Sequence, residues 1–368
     1  MATAQSDDGK AEDSREPIEG VEEALHVWEY PLDSLSIRTE MRTIHDVVVR
    51  RIGKGFYIMD PDFQRDFVWD EQRQSRLIES VLMRIPLPVF YLAENLDGKL
   101  VVVDGLQRLT TFQRFLENKL RLSLQNAELR GKTFAALPPK LQNRIEDTQI
   151  TVYIVDAKVP DRARLDIFER VNGGVALSRQ QMRNAIYQGK ATALLRDLAK
   201  DPIFLQATGN SLRPETMRDR EAINRFCAFH LLGQTNYRDD MDQFLGDALT
   251  QVNQLSDQEI EGVRALFLRG MRNCIVVFGK HAFRKHRKGQ ESRSILNMSL
   301  FDVFSTGLAL YDEATVDSHK TELLDGFFEL MESADFQKDI TYGTNGKARV
   351  LGRFQATRDM IQEAFRAD

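Results

Sequence analysis

Hydrophobic residues recur along this chain with two different periods, and the change between them falls near Pro160. Before it, short apolar runs of strand-like length alternate with segments whose apolar residues are spaced as in a helix. After it, nearly every segment repeats with a period close to 3.6 residues. The pattern predicts an α+β domain with a small mixed sheet over residues 29–160, followed by a mostly helical domain over residues 161–368.

Several predicted elements of the first half have clear limits. Apolar residues at helical spacing predict a helix over residues 72–85, which Pro86 and Pro88 end. The apolar runs at 89–92 and 100–103 flank a turn at Gly98, so they predict a β-hairpin. The other predictions here are helices over 106–116 and 138–147 and strands over 120–124 and 150–155.

The second half is predicted to be helical throughout. Helical spacing marks residues 162–171, 178–187, 191–198, 221–232 and 257–278. The first of these helices ends at Asn172-Gly173-Gly174, a turn that needs positive φ, and Ser178 then caps the next helix.

Composition excludes some classes of protein. With 368 residues, 42% hydrophobic and 29% charged, the chain can bury the cores of two domains. No apolar run approaches the roughly 18 to 20 residues of a membrane span, and the polar, acidic start is unlike a signal peptide. We therefore expect a cytoplasmic protein with no membrane partner. The chain has only two cysteines, Cys227 and Cys274, which are too few for a disulfide framework or a cysteine-rich metal site, and their apolar helical surroundings predict buried thiols.

The net charge of −5 is unevenly distributed. Residues 1–25 contain eight acidic residues against Lys10 and Arg15, a net of −6, which leaves +1 for the rest because −5 minus −6 is +1. Residues 1–28 are predicted to be a disordered, solubilising acidic tail. The nearly neutral remainder leaves nucleic acid open as a partner.

The stretch LVVVDGLQRLTT, residues 100–111, predicts a strand that runs into the start of a helix. Free N–H groups and the positive dipole end at such a start favour an anion, above all phosphate. The stretch supplies a glycine that lets the backbone approach, a guanidinium that binds two oxygens, and amide and hydroxyl donors. These candidate phosphate contacts are Gly105, Gln107, Arg108, Thr110 and Thr111.

Asp104 is the unusual member of this stretch. A carboxylate beside a phosphate repels it unless the carboxylate binds Mg²⁺ or acts as a base, so Asp104 suggests chemistry beyond binding. The spacing equally allows a structural role, in which Asp104 caps the helix and Arg108 pairs back to it one turn later. Spacing alone leaves both interpretations open.

Two further stretches suit a nucleotide. In PDFQRDFVW, residues 61–69, alternation places Arg65 among aromatic neighbours, either to stack a base beside a phosphate contact or to form an edge strand whose rings fill the core. In FERVNGGVALSRQQMRN, residues 168–184, polar side chains surround the double-glycine turn, where they could bind a base and ribose or simply complete a turn. These side chains are Arg170, Asn172, Arg183 and Asn184.

Residues 280–293 form the most basic stretch, with six Lys or Arg against Glu291 alone, a net of +5. Contact with the phosphates of DNA is one interpretation, and a solvated helix face is the other. The candidate DNA contacts are Arg284, Lys285, Arg287 and Lys288.

The three motifs at residues 61–92, 101–116 and 168–187, taken together and in this order, resemble the N-terminal domain of GmrSD-type modification-dependent restriction endonucleases, of the ParB and sulfiredoxin-like superfamily. The resemblance covers residues 40 to 200. The family's central motif is DGQQR, and this chain has Leu106 in place of the first Gln. Gln64 and Arg65 match the first motif, and Arg170 and Asn172 match the third.

The resemblance implies a protein that binds and hydrolyses a nucleoside triphosphate and serves in bacterial defence against phage DNA. Many relatives also carry a C-terminal HNH nuclease, which needs a His base close to further metal ligands. His230, His281, His286 and His319 do not form that pattern here. DNA cleavage would therefore come from the ParB-like domain itself or from a separate partner.

Our leading hypothesis is a nucleotide-dependent enzyme of a DNA-defence system. Asp104 would position Mg²⁺ or activate water, and Arg108 and Arg65 would contact the developing charge. One alternative uses the same pocket to nick DNA. Another is a non-catalytic sensor of nucleotide or DNA that switches a partner nuclease subunit, and an oligomer is also possible.

Overall fold

The computed structural model describes residues 18–19, 36–59, 69–95, 98–171 and 178–366. The strands are β1 (Ile37–Thr43), β2 (Tyr57–Ile58), β3 (Phe90–Glu94), β4 (Leu100–Asp104) and β5 (Gln149–Val155). The helices that follow or separate them are α1 (Glu71–Leu82), α2 (Leu106–Leu116), α3 (Pro139–Glu146), α4 (Asp161–Val171) and α5 (Arg179–Ile186).

Beyond α5 the described chain is mostly helical. Its helices are α6 (Lys190–Ala199), α7 (Pro202–Thr208), α8 (Arg218–Leu231), α9 (Met241–Gln254), α10 (Asp257–Phe278), α11 (Met298–Leu308), α12 (Glu313–Ser318), α13 (Lys320–Glu332), α14 (Ala334–Thr341) and α15 (Lys347–Ala364). A mixed sheet followed by helices confirms the predicted α+β class. None of the described helices is both long enough and apolar enough to cross a membrane.

The five strands form one sheet in the order β1-β5-β3-β4-β2. The pairs β1–β5 and β3–β4 are antiparallel, whereas β3–β5 and β2–β4 are parallel. The predicted hairpin is confirmed as β3 and β4, and its turn is closed by the Asn95 N–H, which donates to the Lys99 carbonyl at 2.9 Å. The sheet is therefore mixed, as expected.

Local signals set most helix limits. The Asp70 side chain caps the start of α1 by accepting from the Arg73 N–H at 2.7 Å. The helix ends at Leu82, and two residues later Arg84 has a positive φ of 60°. Ser178 caps α5, as predicted, and it also forms a capping box with Gln181. Helices 106–116 and 257–278 have the predicted bounds at both ends.

The predicted strand at 120–124 is wrong. Leu120, Leu122 and Leu124 are buried on alternate positions, but the segment does not join the sheet. Its backbone instead closes a local loop, in which the Leu122 N–H donates to Lys132 at 3.0 Å and the Gly131 N–H donates to Leu122 at 2.8 Å. Alternation of apolar and polar residues indicates that one side of an extended segment is buried. It does not indicate whether the segment pairs with another strand.

Helices cover both faces of the sheet. One face packs with α1, α2 and α3 around Ile78, Phe112 and Val152. The other face packs with α4 and α5 around Val103 and Phe168. The sequence-based division at residue 160 assigned α4 and α5 to the helical domain, whereas their packing joins them to the sheet. The separate core of the helical part begins at α6.

Two residues of the predicted disordered tail are docked on the helical part. The Glu19 N–H donates to the Leu296 carbonyl, and the Met298 N–H donates to the Glu19 carbonyl, both at 2.9 Å. The Glu19 carboxylate also contacts the Lys285 ammonium at 2.6 Å. The rest of residues 1–28 lies outside the described residues.

Candidate functional site

The predicted strand-to-helix junction is present at the end of β4. The strand ends at Asp104, Gly105 adopts φ 104°, and α2 begins at Leu106. A side chain on Gly105 would place its Cβ 2.3 Å from Cδ1 of Phe90, so both the backbone angle and the ring require glycine. The pairing of β3 with β4 shifts register next to Tyr91, which lies opposite Asp104. Such irregularities are frequent beside functional sites because they redirect a side chain.

Arg108 is held on several sides by groups of this junction. Its Nη2 lies 2.7 Å from Oδ2 of Asp104, and the same nitrogen donates to the Val89 carbonyl at 3.1 Å. Its Nη1 donates to the Pro88 carbonyl. The guanidinium carbon lies 4.3 Å from the centroid of the Phe90 ring, within range of a cation–π interaction. Arg108 is therefore committed to orienting Asp104 in this conformation.

Burial shifts the pKa of both partners. It raises the pKa of Asp104 above its usual value, and the charge of Arg108 opposes that rise only in part. Burial likewise lowers the pKa of the Arg108 guanidinium, while Asp104 opposes the change. A carboxylate whose pKa is raised toward neutrality is a better proton acceptor in catalysis than an ordinary exposed one.

The two interpretations of Asp104 can now be compared. The ion pair with Arg108 one turn later is present, as the structural interpretation expects. However, the N-cap of α2 is Gly105, and no side chain caps the helix from that position. The first-turn N–H groups therefore remain suited to an anion, as the functional interpretation expects.

Gln107 links the junction to the end of the first motif. Its Oε1 accepts from the Trp69 N–H at 3.3 Å, and Nε2 of the buried Gln74 donates to the Trp69 carbonyl at 2.8 Å. Sequence reasoning missed Gln74 and Phe90 as supports of the site. A polar residue on the apolar side of α1 is a signal for Gln74, but nothing local pointed to Phe90. Gln64 and Arg65 lie outside the described residues.

The two threonines differ in accessibility. Thr111 is fully buried, and its hydroxyl donates to the Gln107 carbonyl at 2.7 Å. Its predicted phosphate contact is therefore wrong, because the donor is used within the helix. Thr110 is partly exposed and shares one side of α2 with Gln107, three residues earlier.

The third motif is divided between surface and core. Arg170 is exposed in the last turn of α4, and Asn172 lies outside the described residues. Arg183 is buried and pairs with Asp242, while the amide oxygen of buried Asn184 accepts from Gln180 at 2.9 Å. A base or ribose contact by Arg183 or Asn184 is therefore ruled out in this conformation, since both side chains serve packing.

The basic stretch is only partly a surface. Arg284 is 1% exposed and donates to the Thr208 carbonyl and the Ser211 hydroxyl, both at 2.7 Å, so its predicted DNA contact is wrong. Lys285 contacts the Glu19 carboxylate. Arg287 and Lys288 are exposed, although Lys288 lies 3.1 Å from Asp325.

Histidines and cysteines add no metal site within the described ranges. His281 and His286 stack with ring centroids 4.5 Å apart, and burial lowers the pKa of both. Cys227 and Cys274 are buried and unpaired, as expected. Across the part of the chain that the structure describes, no three His, Cys, Asp or Glu side chains are grouped to hold a metal ion.

Comparison with known families gives a match over part of the chain. Residues 44–188 match the family model described as the N-terminal domain of the GmrSD restriction endonuclease. The matched region contains β2 to β5, α1 to α5 and the whole Asp104 junction. Comparison with curated proteins and with solved structures gave no significant match.

Proposed function

We propose that this chain, whose residues 44–188 match the GmrSD N-terminal domain, acts in restriction of foreign DNA by binding and hydrolysing a nucleoside triphosphate. The observation that carries the proposal is the junction at Asp104, Gly105 and Arg108. There, a half-buried carboxylate with a raised pKa lies beside a helix start at which no side-chain cap is found among the described residues. The first feature suits proton transfer, and the second suits phosphate.

Phosphate would bind at the first turn of α2. The N–H groups of that turn and the positive end of the helix dipole attract an anion. Gln107 and Thr110 lie on the accessible side of the same helix and would contact phosphate or ribose. Arg170 would approach from α4, and Arg65 and Asn172 remain candidates from the sequence motifs.

Asp104 would act as the base for hydrolysis. Its carboxylate accepts a proton from water as the water oxygen bonds to the terminal phosphorus. The bond from that phosphorus to the bridging oxygen breaks, and the nucleoside diphosphate leaves. The alternative role of Asp104 is to hold Mg²⁺, since one or two carboxylates and phosphate oxygens typically bind the ion of a triphosphate, and the ion would then neutralise phosphate charge. Arg108 acts as a positioning residue that fixes the carboxylate.

The proposed function also includes binding to DNA and, for cleavage, a possible nuclease partner. Of the four candidate DNA contacts in the basic stretch, Arg287 and Lys288 are the two that are exposed, and they would contact DNA phosphates. Such contacts would appear as a steep fall of DNA affinity with salt. Cleavage would be made by the domain itself or by a separate subunit that the nucleotide state controls.

The test is phosphate release from each nucleoside triphosphate with Mg²⁺. Asp104→Asn keeps the size of the side chain but removes the base, so we expect a loss of about 100-fold or more in kcat. Arg108→Lys keeps the charge but loses the hydrogen bonds of the planar guanidinium, so kcat should fall with little change in KM. Asp46→Asn is the matched control, because Asp46 also pairs with an arginine four residues away, Arg42, at 3.2 Å.

The outcomes separate the three functions. Hydrolysis by Asp104→Asn at the rate of the unmodified protein would overturn the assignment of the base. Nicking of supercoiled plasmid that is lost in Asp104→Asn, without any nucleotide turnover, would instead assign the pocket to DNA. Tight nucleotide binding without turnover would identify a sensor.

A further inference from the structure

Strand β1 ends the sheet on the side away from the Asp104 junction, and among the described residues no strand pairs with its outer edge. The Ser36 carbonyl accepts from the Asp156 N–H at 3.1 Å, and the Ile44 N–H donates to the Thr148 carbonyl at 3.0 Å. Even-numbered residues of β1 therefore direct their backbone groups toward β5, because these directions alternate along a strand. Odd-numbered residues direct theirs outward.

The outward backbone groups belong to Ile37, Thr39 and Met41. Within the described residues, these groups have no hydrogen-bond partner beyond β1. The strand is seven residues long, contains no proline and pairs with β5 without a register shift. Proteins usually shorten, bend or cover such an edge, because a regular edge is a template for another strand.

The side chains of β1 also suit a partner. Ile37 is 45% exposed and Met41 is 58% exposed, and both lie on the same side of the strand as Thr39 because their spacing is two. On the other side, Arg38, Glu40 and Arg42 alternate in charge. The edge thus carries two apolar side chains in one row and alternating charges in the other.

We propose that β1 pairs antiparallel with β1 of a second copy of this chain, about a two-fold axis at Thr39, and so joins the two sheets into one of ten strands. Ile37 then lies opposite Met41 of the second copy, Arg38 lies opposite Glu40, and Thr39 meets its own equivalent. Each outward-facing residue is opposite another, so about six backbone hydrogen bonds form. Two-fold pairing of one surface with itself is the commonest way in which proteins form dimers.

The charge pattern selects this register over its neighbours. A shift of the axis to Arg38 or to Glu40 would place like charges directly opposite each other, which is unfavourable. An axis at Met41 would also pair Glu40 with Arg42 of the second copy, but it would leave Ile37 beyond the paired segment. An odd shift between the strands would place outward backbone groups opposite inward ones. Of these registers, the one with its axis at Thr39 pairs the outward backbone groups, places opposite charges next to each other and brings both apolar side chains into contact.

Engineered cysteines give a direct test. Cys227 and Cys274 are buried, so a cysteine on β1 would be the accessible thiol. Opposed residues of a hydrogen-bonded antiparallel pair have Cα atoms about 5.5 Å apart, which a disulfide can span. We therefore expect Thr39→Cys to form a covalent dimer under mild oxidation at least tenfold faster than the control Glu40→Cys. Faster cross-linking of Met41→Cys than of Thr39→Cys would overturn the register.

Proline at the same position tests the edge without cross-linking. The Thr39 N–H faces outward, so Thr39→Pro removes a donor to the second copy and none to β5. We expect light scattering to show a dimer of the full chain whose dissociation constant rises at least tenfold in Thr39→Pro, with an unchanged circular dichroism spectrum. A chain that stays monomeric at 100 μM, or a dimer that is unaffected by Thr39→Pro, would overturn the proposal.

Discussion

Replacement of Gly105 by alanine tests whether the junction depends on close packing as the structure indicates. Gly105 has φ 104°, and an added Cβ would lie 2.3 Å from Cδ1 and 2.9 Å from Cε1 of Phe90. Phe90 is 1% exposed, and its ring lies under the Arg108 guanidinium. The ring cannot move away without displacing Arg108 and the carboxylate that Arg108 orients.

The expected cost has two parts. An L-amino acid at positive φ costs roughly 1–2 kcal/mol. Overpacking of a well-packed core adds about 1–3 kcal/mol. We therefore expect Gly105→Ala to lower the free energy of unfolding by about 2–5 kcal/mol and to reduce phosphate release, because the Asp104 carboxylate shifts with the helix start.

Urea denaturation of matched variants separates the two parts. Gly98 also has positive φ, 73°, and a Cβ there would meet nothing within 4 Å. Gly98→Ala should therefore cost only the backbone part, about 1–2 kcal/mol. Adding Phe90→Leu to Gly105→Ala should recover part of the loss by making room for the methyl group. If Gly105→Ala is no more destabilising than Gly98→Ala, the steric reasoning is refuted.

Three other predictions concern stability and the limits of the site. Asp302→Ala should lower the free energy of unfolding, measured by urea denaturation, by about 3–5 kcal/mol. The variant leaves the guanidinium groups of Arg225 and Arg353 buried without their shared carboxylate. A change below about 1 kcal/mol would contradict this prediction. Burial raises the pKa of Asp219 from 3.8 to about 6, so the folded state binds the proton more tightly and stability falls as pH rises between these values. Asp219→Asn should thus stabilise the protein at pH 7 by up to about 3 kcal/mol but not below pH 4, and equal thermal shifts at both pH values would refute the assignment. Thr111→Val should leave phosphate release unchanged, since that hydroxyl donates within the helix; a loss as large as that of Asp104→Asn would show that the hydroxyl reaches the ligand.

Elements with local signals were predictable from the sequence. The helix at Asp257–Phe278 has a capping box at its start and a glycine after its end, and its predicted bounds match. The helix at Leu106–Leu116 likewise follows a glycine with positive φ. Caps, turns and periodicity depend on residues a few positions apart, so one segment carries the information by itself.

The candidate site was predictable in part for the same reason. Asp104 and Arg108 are one helical turn apart, so their pairing follows from spacing. The burial of Thr111 could also be predicted from the sequence, because Thr111 lies on the apolar side of α2 together with Phe115, four residues later. The Arg108 guanidinium also contacts the Phe90 ring and the carbonyls of Pro88 and Val89. These groups come from the segment that enters β3, and no local sequence pattern predicts the contacts.

What the sequence determined by itself was therefore the fold class, the capped and periodic helices, the β3–β4 hairpin and the short motif around Asp104. Tertiary structure alone decided the parallel pairing of β3 with β5, the placement of α4 and α5 on the sheet, and the burial of Arg284 within the basic stretch. A charged residue in a basic run looks the same in sequence whether it faces water or buried acceptors. Arg284 is buried because its guanidinium donates to the Thr208 carbonyl and the Ser211 hydroxyl, more than 70 residues earlier in the chain. Packing brings these groups together, and no local periodicity relates them.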